Sequence, residues 1–320
     1  MRDPGWIGNE LRTGRITQTS GGRVKTRSNH KSKSMQLQGF LPEVGAMLLP
    51  GYKLLRLRGR GGFATVWETS KPDGGIVALK FMSSHNANST IRELRALRTF
   101  TELRHTNWLA IDKVWCIPGQ IVIEMELADA SLLDMMLLYA DEYGTPIEAG
   151  KLLVYMCDVA EGLDFLNAKH HKMDGRFVGY QHGDVKPNNI LLMNDTAKLA
   201  DYGMATATIG VKTPCHRHGT IEYVAPEVFS GYATDSSDQY SLAVTYALLR
   251  TGRFPFPPPP TELEFGRSYV RPAPDLRALQ NAQERAAVAR ALSHIPQNRF
   301  PNCMAFITEI ARSRSVRVTA

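Results

Sequence analysis

The sequence predicts an α+β fold, with short antiparallel strands gathered in its first part and helices in its second. Three patterns lead there. Between residues 52 and 125, short apolar runs are separated by glycine-rich and Pro-Asp-Gly turns, the punctuation of antiparallel strands. Over 151–168, Leu152, Met156, Val159, Leu163 and Leu166 recur at alternating intervals of four and three, which places them on one face of a helix. At 240–249 the run Tyr-Ser-Leu-Ala-Val-Thr-Tyr-Ala-Leu-Leu is too short to span a membrane and reads as a buried core helix.

In chain order, 52–57 alternates as a strand, and a glycine-rich turn leads to its hairpin partner at 65–68. The turn Pro72-Asp73-Gly74-Gly75 introduces a third strand over 76–82. Residues 89–104 have helical composition and open on Ser89 and Thr90, either of which can cap. A further short strand follows at 121–125, and past residue 130 the pattern turns helical. The prolines at 257–260 read as a loop closing off the buried helix, or else as a polyproline ligand.

The 320 residues are 43% hydrophobic and 22% charged, ordinary globular proportions that exclude a collagen-like or wholly disordered chain. No apolar run approaches a membrane span, and the N-terminus lacks the apolar core of a signal peptide. Cys116, Cys157, Cys215 and Cys303 form no C-x-x-C pair, a usage that fits reduced thiols and a cytoplasmic setting. Cys215-His216-Arg217-His218 has metal-ligating side chains but no fourth ligand, so it reads as a polar loop. Of the net charge of +7, six arise within residues 1–40, where eight Lys and Arg face Asp3 and Glu10. Residues 1–46 therefore read as a basic disordered tail, whose charge would suit a weak anionic partner.

Gly59-Arg60-Gly61-Gly62 lies between two strands, where glycines let backbone N–H groups approach phosphates. Its place in a hairpin, not ahead of a helix, argues against a dinucleotide-binding turn, and it is no Walker loop. Lys80, in Val77-Ala78-Leu79-Lys80, is a cation on an apolar strand and needs anionic partners; Glu93 is the candidate carboxylate. His182-Gly183-Asp184-Val185-Lys186-Pro187-Asn188-Asn189 packs a base, a cation and an amide ligand together just ahead of an apolar strand. Asp201-Tyr202-Gly203 and Ala225-Pro226-Glu227 follow in that order.

This set of motifs resembles the eukaryotic-type protein kinases, in a form similar to bacterial Ser/Thr kinases. The resemblance covers about residues 51–312, leaving a tail at 313–320. It implies a bilobal fold, with a small antiparallel β-sheet N-lobe over 51–127 and a helical C-lobe over 128–312. It implies ATP and Mg²⁺ as cofactors and transfer of the γ-phosphoryl group to a protein Ser or Thr hydroxyl. By the same resemblance, Gly59, Gly61 and Gly62 cover the phosphates, while Lys80 binds them and pairs with Glu93. Val66, Ala78 and Leu191 contact the nucleotide, Met125 is the gatekeeper, and Glu126 to Ala128 form the hinge that meets adenine. Asp184 accepts or orients the substrate proton, Lys186 neutralises the γ-phosphate, and Asn189 and Asp201 hold Mg²⁺. Residues 219–227 resemble the substrate-facing segment of Ser/Thr kinases, Asp238 resembles the anchor of the catalytic loop, and Arg299 is implied to pair with Glu227.

The chain departs from the pattern in places. Ala64 replaces a loop glycine, and Tyr202 replaces the usual Phe, adding a hydroxyl that needs a partner. Gly183 replaces the arginine that would dock a phosphorylated activation loop, so activity is expected not to require phosphate on Thr213. Two other readings remain at this point. His-Gly-Asp also resembles aminoglycoside and choline kinases, and a pseudokinase scaffold would bind ATP without transfer.

Overall fold

In the computed structural model, the residues described are 42–61, 64–83, 101, 103–173, 175–208, 210, 212–215, 219–259 and 269–314. The chain divides into two units, Met1–His85 with Trp115–Ile123, and Asn86–Val114 with Glu124–Ala320. The helix expected at 89–104, and Glu93 on it, lie outside the described residues apart from short pieces at its end, as do Gly62 and the tail to residue 41.

Strand alternation builds the first unit. β1 (Lys53–Arg60), β2 (Ala64–Ser70), β3 (Ile76–Ser83), β4 (Ile111–Ile117) and β5 (Gln120–Met125) form one sheet in the order β1-β2-β3-β5-β4. β2 runs antiparallel to both β1 and β3, and Trp67 faces Leu57 on one side and Leu79 on the other. Because side chains alternate along a strand, Val77, Leu79 and Phe81 share one face of β3. They join Trp67, Leu54, Tyr52, Leu49 and Val122 in one buried cluster, each large side chain contributing about 1.5–3 kcal/mol. β4 was not foreseen, because its Asp112, Lys113 and Cys116 break the apolar run.

The sheet is also extended at its entrance. Gly45 donates its N–H to the Leu54 carbonyl at 2.7 Å, and Leu54 donates to the Ala46 carbonyl at 3.0 Å. Ala46 and Leu48 pack on the core cluster. The part of the expected tail from residue 42 to 46 is thus tied to β1, because the apolar Ala46-Met47-Leu48-Leu49 run has a core to cover.

The second unit is built on helices. α1 (Leu132–Leu138) opens on a reciprocal capping box between Ser131 and Asp134. α2 (Ala149–Asn167) begins where Glu148 accepts from the N–H groups of Gly150 and Lys151. Leu152, Met156, Val159, Leu163 and Leu166 of α2 are all fully buried, the face that the sequence periodicity marks. α3 (Pro226–Phe229) is a single turn, and α4 (Ser237–Thr251) is buried at every position from Ser237 to Leu249. α5 (Ala282–Ala291) and α6 (Cys303–Ser313) complete the helices; Asp164 of α2 caps α6 by accepting from Cys303 N–H at 2.8 Å and Met304 N–H at 2.9 Å. Phe256 stacks on Tyr240 of α4, so the proline-rich stretch begins as the loop that closes this helix.

The helical second part also carries short strands, and β9 (Ile190–Met193) is the apolar strand expected just after the 182–189 loop. β6 (Ala130–Ser131), β9 (Ile190–Met193) and β10 (Thr196–Leu199) form one small sheet, with β9 in the middle. β7 (His171–Met173), β8 (Arg176–Gln181) and β11 (Thr206–Thr208) form another, and β12 (Thr213–Pro214) pairs with β13 (Tyr232–Ala233). Strands of two to six residues carry too little periodicity to register against neighbouring helices. Ahead of β8, Gly175 has φ +76°, a conformation that glycine adopts without strain. No helix among the described residues is long and apolar enough to cross a membrane.

Candidate active site

The loop at 182–189 is fixed by its backbone before any side chain acts. Asp238, on the buried α4, accepts from His182 N–H at 2.6 Å and from Gly183 N–H at 2.9 Å. Its own N–H donates to Gln181 Oε1 at 3.0 Å. Burial pushes the Asp238 carboxyl upward, and the two loop N–H groups oppose that shift. His182 accepts the Asp184 N–H on Nδ1 at 3.3 Å and meets the Ala200 carbonyl through Nε2 at 3.0 Å. That pattern needs a hydrogen on Nε2, and the ring bridges the loop to Ala200.

The side chains above this base converge on Asp184. Its Oδ1 accepts from the Thr220 N–H and from the Thr220 hydroxyl, each at 2.9 Å. Its Oδ2 accepts from Asn189 Nδ2 at 2.9 Å and lies 2.8 Å from Lys186 Nζ. Lys186 also donates to Thr220 Oγ1 at 2.5 Å, which closes a triangle of Asp184, Lys186 and Thr220. Burial raises the Asp184 carboxyl, but the Lys186 ammonium and the Thr220 donors outweigh it and hold the group below its ordinary value. Asp184 is therefore ionised at neutral pH, the form that can accept a proton.

Thr220 is the functional residue that sequence reasoning placed only within a segment. Its position depends on Gly219, which has φ +92° and sits so close to the Gly183 carbonyl that a Cβ would overlap it. Gly183 itself has φ +78°, with the Met204 carbonyl 3.1 Å from where its Cβ would stand. The glycine that replaces the usual arginine thus suits the backbone of this loop.

Asn189 spends its amide N–H groups on Asp184, on the side chain and on the main-chain carbonyl at 2.9 Å. The amide oxygen is then the remaining ligand atom of that side chain. Asp201 has a left-handed backbone, φ +68°, unusual for a residue with a side chain and a mark of functional sites. Next to it, the Tyr202 hydroxyl donates to the Leu199 carbonyl at 2.6 Å, which supplies the partner that this hydroxyl needs. Met125 ends β5, and the Glu126 carboxylate is taken by Lys198 at 2.7 Å and by the Ala110 N–H at 3.2 Å. The Glu126 N–H donates to the Ala110 carbonyl at 3.4 Å. Leu191 stands in β9 between Ser131 of β6 and Lys198 of β10.

In the first unit the expected residues fall in one row. Gly59 of β1 faces Val66 of β2, which faces Lys80 of β3. Residues in register across antiparallel strands project to the same side, and Ala78, two positions from Lys80, joins them. This face is opposite to the one that carries Leu79 and Phe81. Gly61 closes the hairpin by donating to the Ala64 carbonyl at 2.8 Å.

Away from the site, Glu227 and Arg299 meet in two parallel bonds of 2.7 Å each, at 1% and 0% side-chain exposure. Ser237 and Thr234 also donate to this carboxylate, which is held below its ordinary value although burial works the other way.

The protein kinase domain family matches residues 52–312. The serine/threonine-protein kinase PknD of Mycobacterium tuberculosis is 32% identical over 81% of this chain and 39% of its own length. The serine/threonine-protein kinase Pkn1 of Myxococcus xanthus is 28% identical over 84% of this chain and 39% of its own. The chain thus spans about two-fifths of the length of these curated relatives. Among solved structures, the kinase domain of M. tuberculosis PknI aligns with a TM-score of 0.65 at 25% identity, covering 86% of this chain and all of that one.

Proposed function

The chain belongs to the protein kinase family, and we propose that it transfers the γ-phosphoryl group of ATP to serine or threonine hydroxyls of proteins. The observation that carries this reading is the triangle of Asp184, Lys186 and Thr220, built on a loop that Asp238 anchors. Phosphoryl transfer asks a protein for positioning and for charge, with little covalent chemistry. Asp184, ionised and fixed by Thr220 and Asn189, receives the hydroxyl proton of the acceptor and orients its oxygen for in-line attack. Lys186, already beside that carboxylate, is placed to share its charge with the transferring phosphoryl oxygens.

Asn189 and Asp201 offer an amide and a carboxylate oxygen, the hard donors that Mg²⁺ prefers. Mg²⁺ held there would supply positive charge to the nucleotide's phosphates. Gly59, Gly61, Gly62, Val66, Ala78 and Lys80 are assigned to the nucleotide, with Glu93 as the partner of Lys80. The main chain of Glu126 to Ala128 is assigned to adenine, with Met125 and Leu191 beside it.

The relatives named above are protein kinases, which leaves the small-molecule reading without support. The test is incubation with labelled ATP and Mg²⁺ and a mixture of basic and acidic protein acceptors, followed by analysis of the phosphorylated amino acids. Label on serine or threonine is the expected result. ATP binding without transfer to any protein would overturn it in favour of a scaffold.

A further inference from the structure

Arg271 is a buried cation of an unusual kind. The residue is 3% exposed, and its hydrogen bonds go to main-chain carbonyls, with the Glu222 charge acting on it from farther off. Taking a guanidinium out of water is costly, so its partners must matter to the fold. Nη1 donates to the Glu222 carbonyl at 2.9 Å, and Nη2 donates to the carbonyls of Ile221 at 2.5 Å and Val224 at 3.0 Å. The guanidinium carbon lies 4.8 Å from the Phe256 ring centroid and 5.2 Å from that of Phe229, within reach of a cation–π contact.

All three carbonyls belong to the turn that follows Thr220. Ser241 of α4 donates to the fourth, on Tyr223, at 2.9 Å. The turn closes on itself where Tyr223 N–H meets the Thr220 carbonyl at 3.0 Å. At its other end, the Thr220 N–H and hydroxyl rest on Asp184. The segment is therefore held between a catalytic carboxylate and a buried guanidinium, through its main-chain carbonyls and the Thr220 N–H and hydroxyl, while the Glu222 charge within it adds attraction to Arg271.

We infer that Arg271 is a positioning residue of the phosphotransfer site, holding the 221–224 carbonyls so that the Thr220 hydroxyl stays on Asp184 and Lys186. The inference rests on the kinase reading for its kinetic consequence, but its structural content stands apart from that reading. Three rigid N–H···O bonds in one plane demand a guanidinium; an ammonium keeps the charge and the aromatic contacts but loses the fork. Arg271→Lys should therefore retain part of the function, and Arg271→Met very little.

The experiment compares Arg271→Met and Arg271→Lys, alone and combined with Thr220→Val, by transfer rate per ATP-binding molecule. Hydrogen exchange of the 219–225 amides is followed on the same samples. Arg271→Met is expected to lower kcat by about tenfold or more, to leave ATP affinity within about twofold, and to be partly rescued by lysine. With Thr220→Val already present, the same change should cost less than about threefold, because the two act through one contact. An equal loss in both backgrounds, or a loss accounted for wholly by missing folded protein, would overturn the inference. Faster exchange at 219–225 with α2 unchanged is expected. Unchanged protection there would sink the inference even if the wild-type chain transferred no phosphate, a result that would count against the kinase reading alone.

Discussion

Two acid–base pairs in the second unit use the same chemistry to opposite ends. Glu227 and Arg299 are sealed, at 1% and 0% side-chain exposure, and two parallel hydrogen bonds fill the fork. Asp184 and Lys186 stand at 10% and 22%, joined by one contact and shared with Thr220 and Asn189. A closed bidentate pair has nothing left for a substrate and serves the fold. An open pair, each member held by more than one neighbour, can exchange a partner for a substrate hydroxyl or a phosphoryl oxygen without losing its place. Burial depth and the geometry of the remaining partners, more than residue type, separate the structural pair from the one proposed to be catalytic.

Variants should break the two pairs in different currencies. Asp184→Asn keeps the shape but removes the proton acceptor, so transfer should fall by about 10²–10⁴-fold, with ATP still bound. Arg299→Met leaves the Glu227 carboxylate buried without its cation, and about 3–5 kcal/mol of stability should be lost in denaturant unfolding. The rate per folded molecule should hardly change. Acid sharpens this contrast. In the wild type Glu227 is held below its ordinary value, so its contribution is complete above the unfolded value of about 4.3 and is lost as pH falls through the lower folded one. In Arg299→Met the same buried carboxyl titrates above its unfolded value, so lowering the pH from 7 to 5 should lessen the variant's deficit, read as a shrinking gap in unfolding midpoint.

Gly219→Ala tests the joint between loop and turn. Its φ of +92° and the overlap with the Gly183 carbonyl predict about 1–3 kcal/mol of strain. Stability and transfer should fall together, because the displaced groups carry Asp184 and Thr220. The smallest effect is expected at Thr213, whose segment is held by backbone pairing of β12 with β13 and has glycine at position 183 in place of a docking arginine. Thr213→Val should leave the rate within about threefold. An inactive variant, restored by Thr213→Glu, would contradict that.

The two pairs also differ in how they could be read from the sequence. Asp184, Lys186 and Asn189 lie within six residues, so local spacing alone brings them together. Glu227 and Arg299, 72 positions apart, were joined only through family resemblance. Thr220 was placed in the right segment, but its contact with Asp184 depends on a left-handed glycine 35 residues beyond that aspartate, which no local pattern reports. Arg271 carried no signal, since an arginine in a proline-rich loop looks like solvated surface. Strands β1, β2 and β3 were legible because they run over seven or eight residues between clear turns, while β4, broken by Asp112 and Lys113, and the short strands around 171–181 were not.

The most direct measurement sets the transfer rate per ATP-binding molecule beside the unfolding midpoint for Asp184→Asn and Arg299→Met. The account predicts that Asp184→Asn loses rate and keeps its midpoint, while Arg299→Met loses its midpoint and keeps its rate. Two variants that lose both in proportion would show that the open and closed pairs do the same work, and would contradict it.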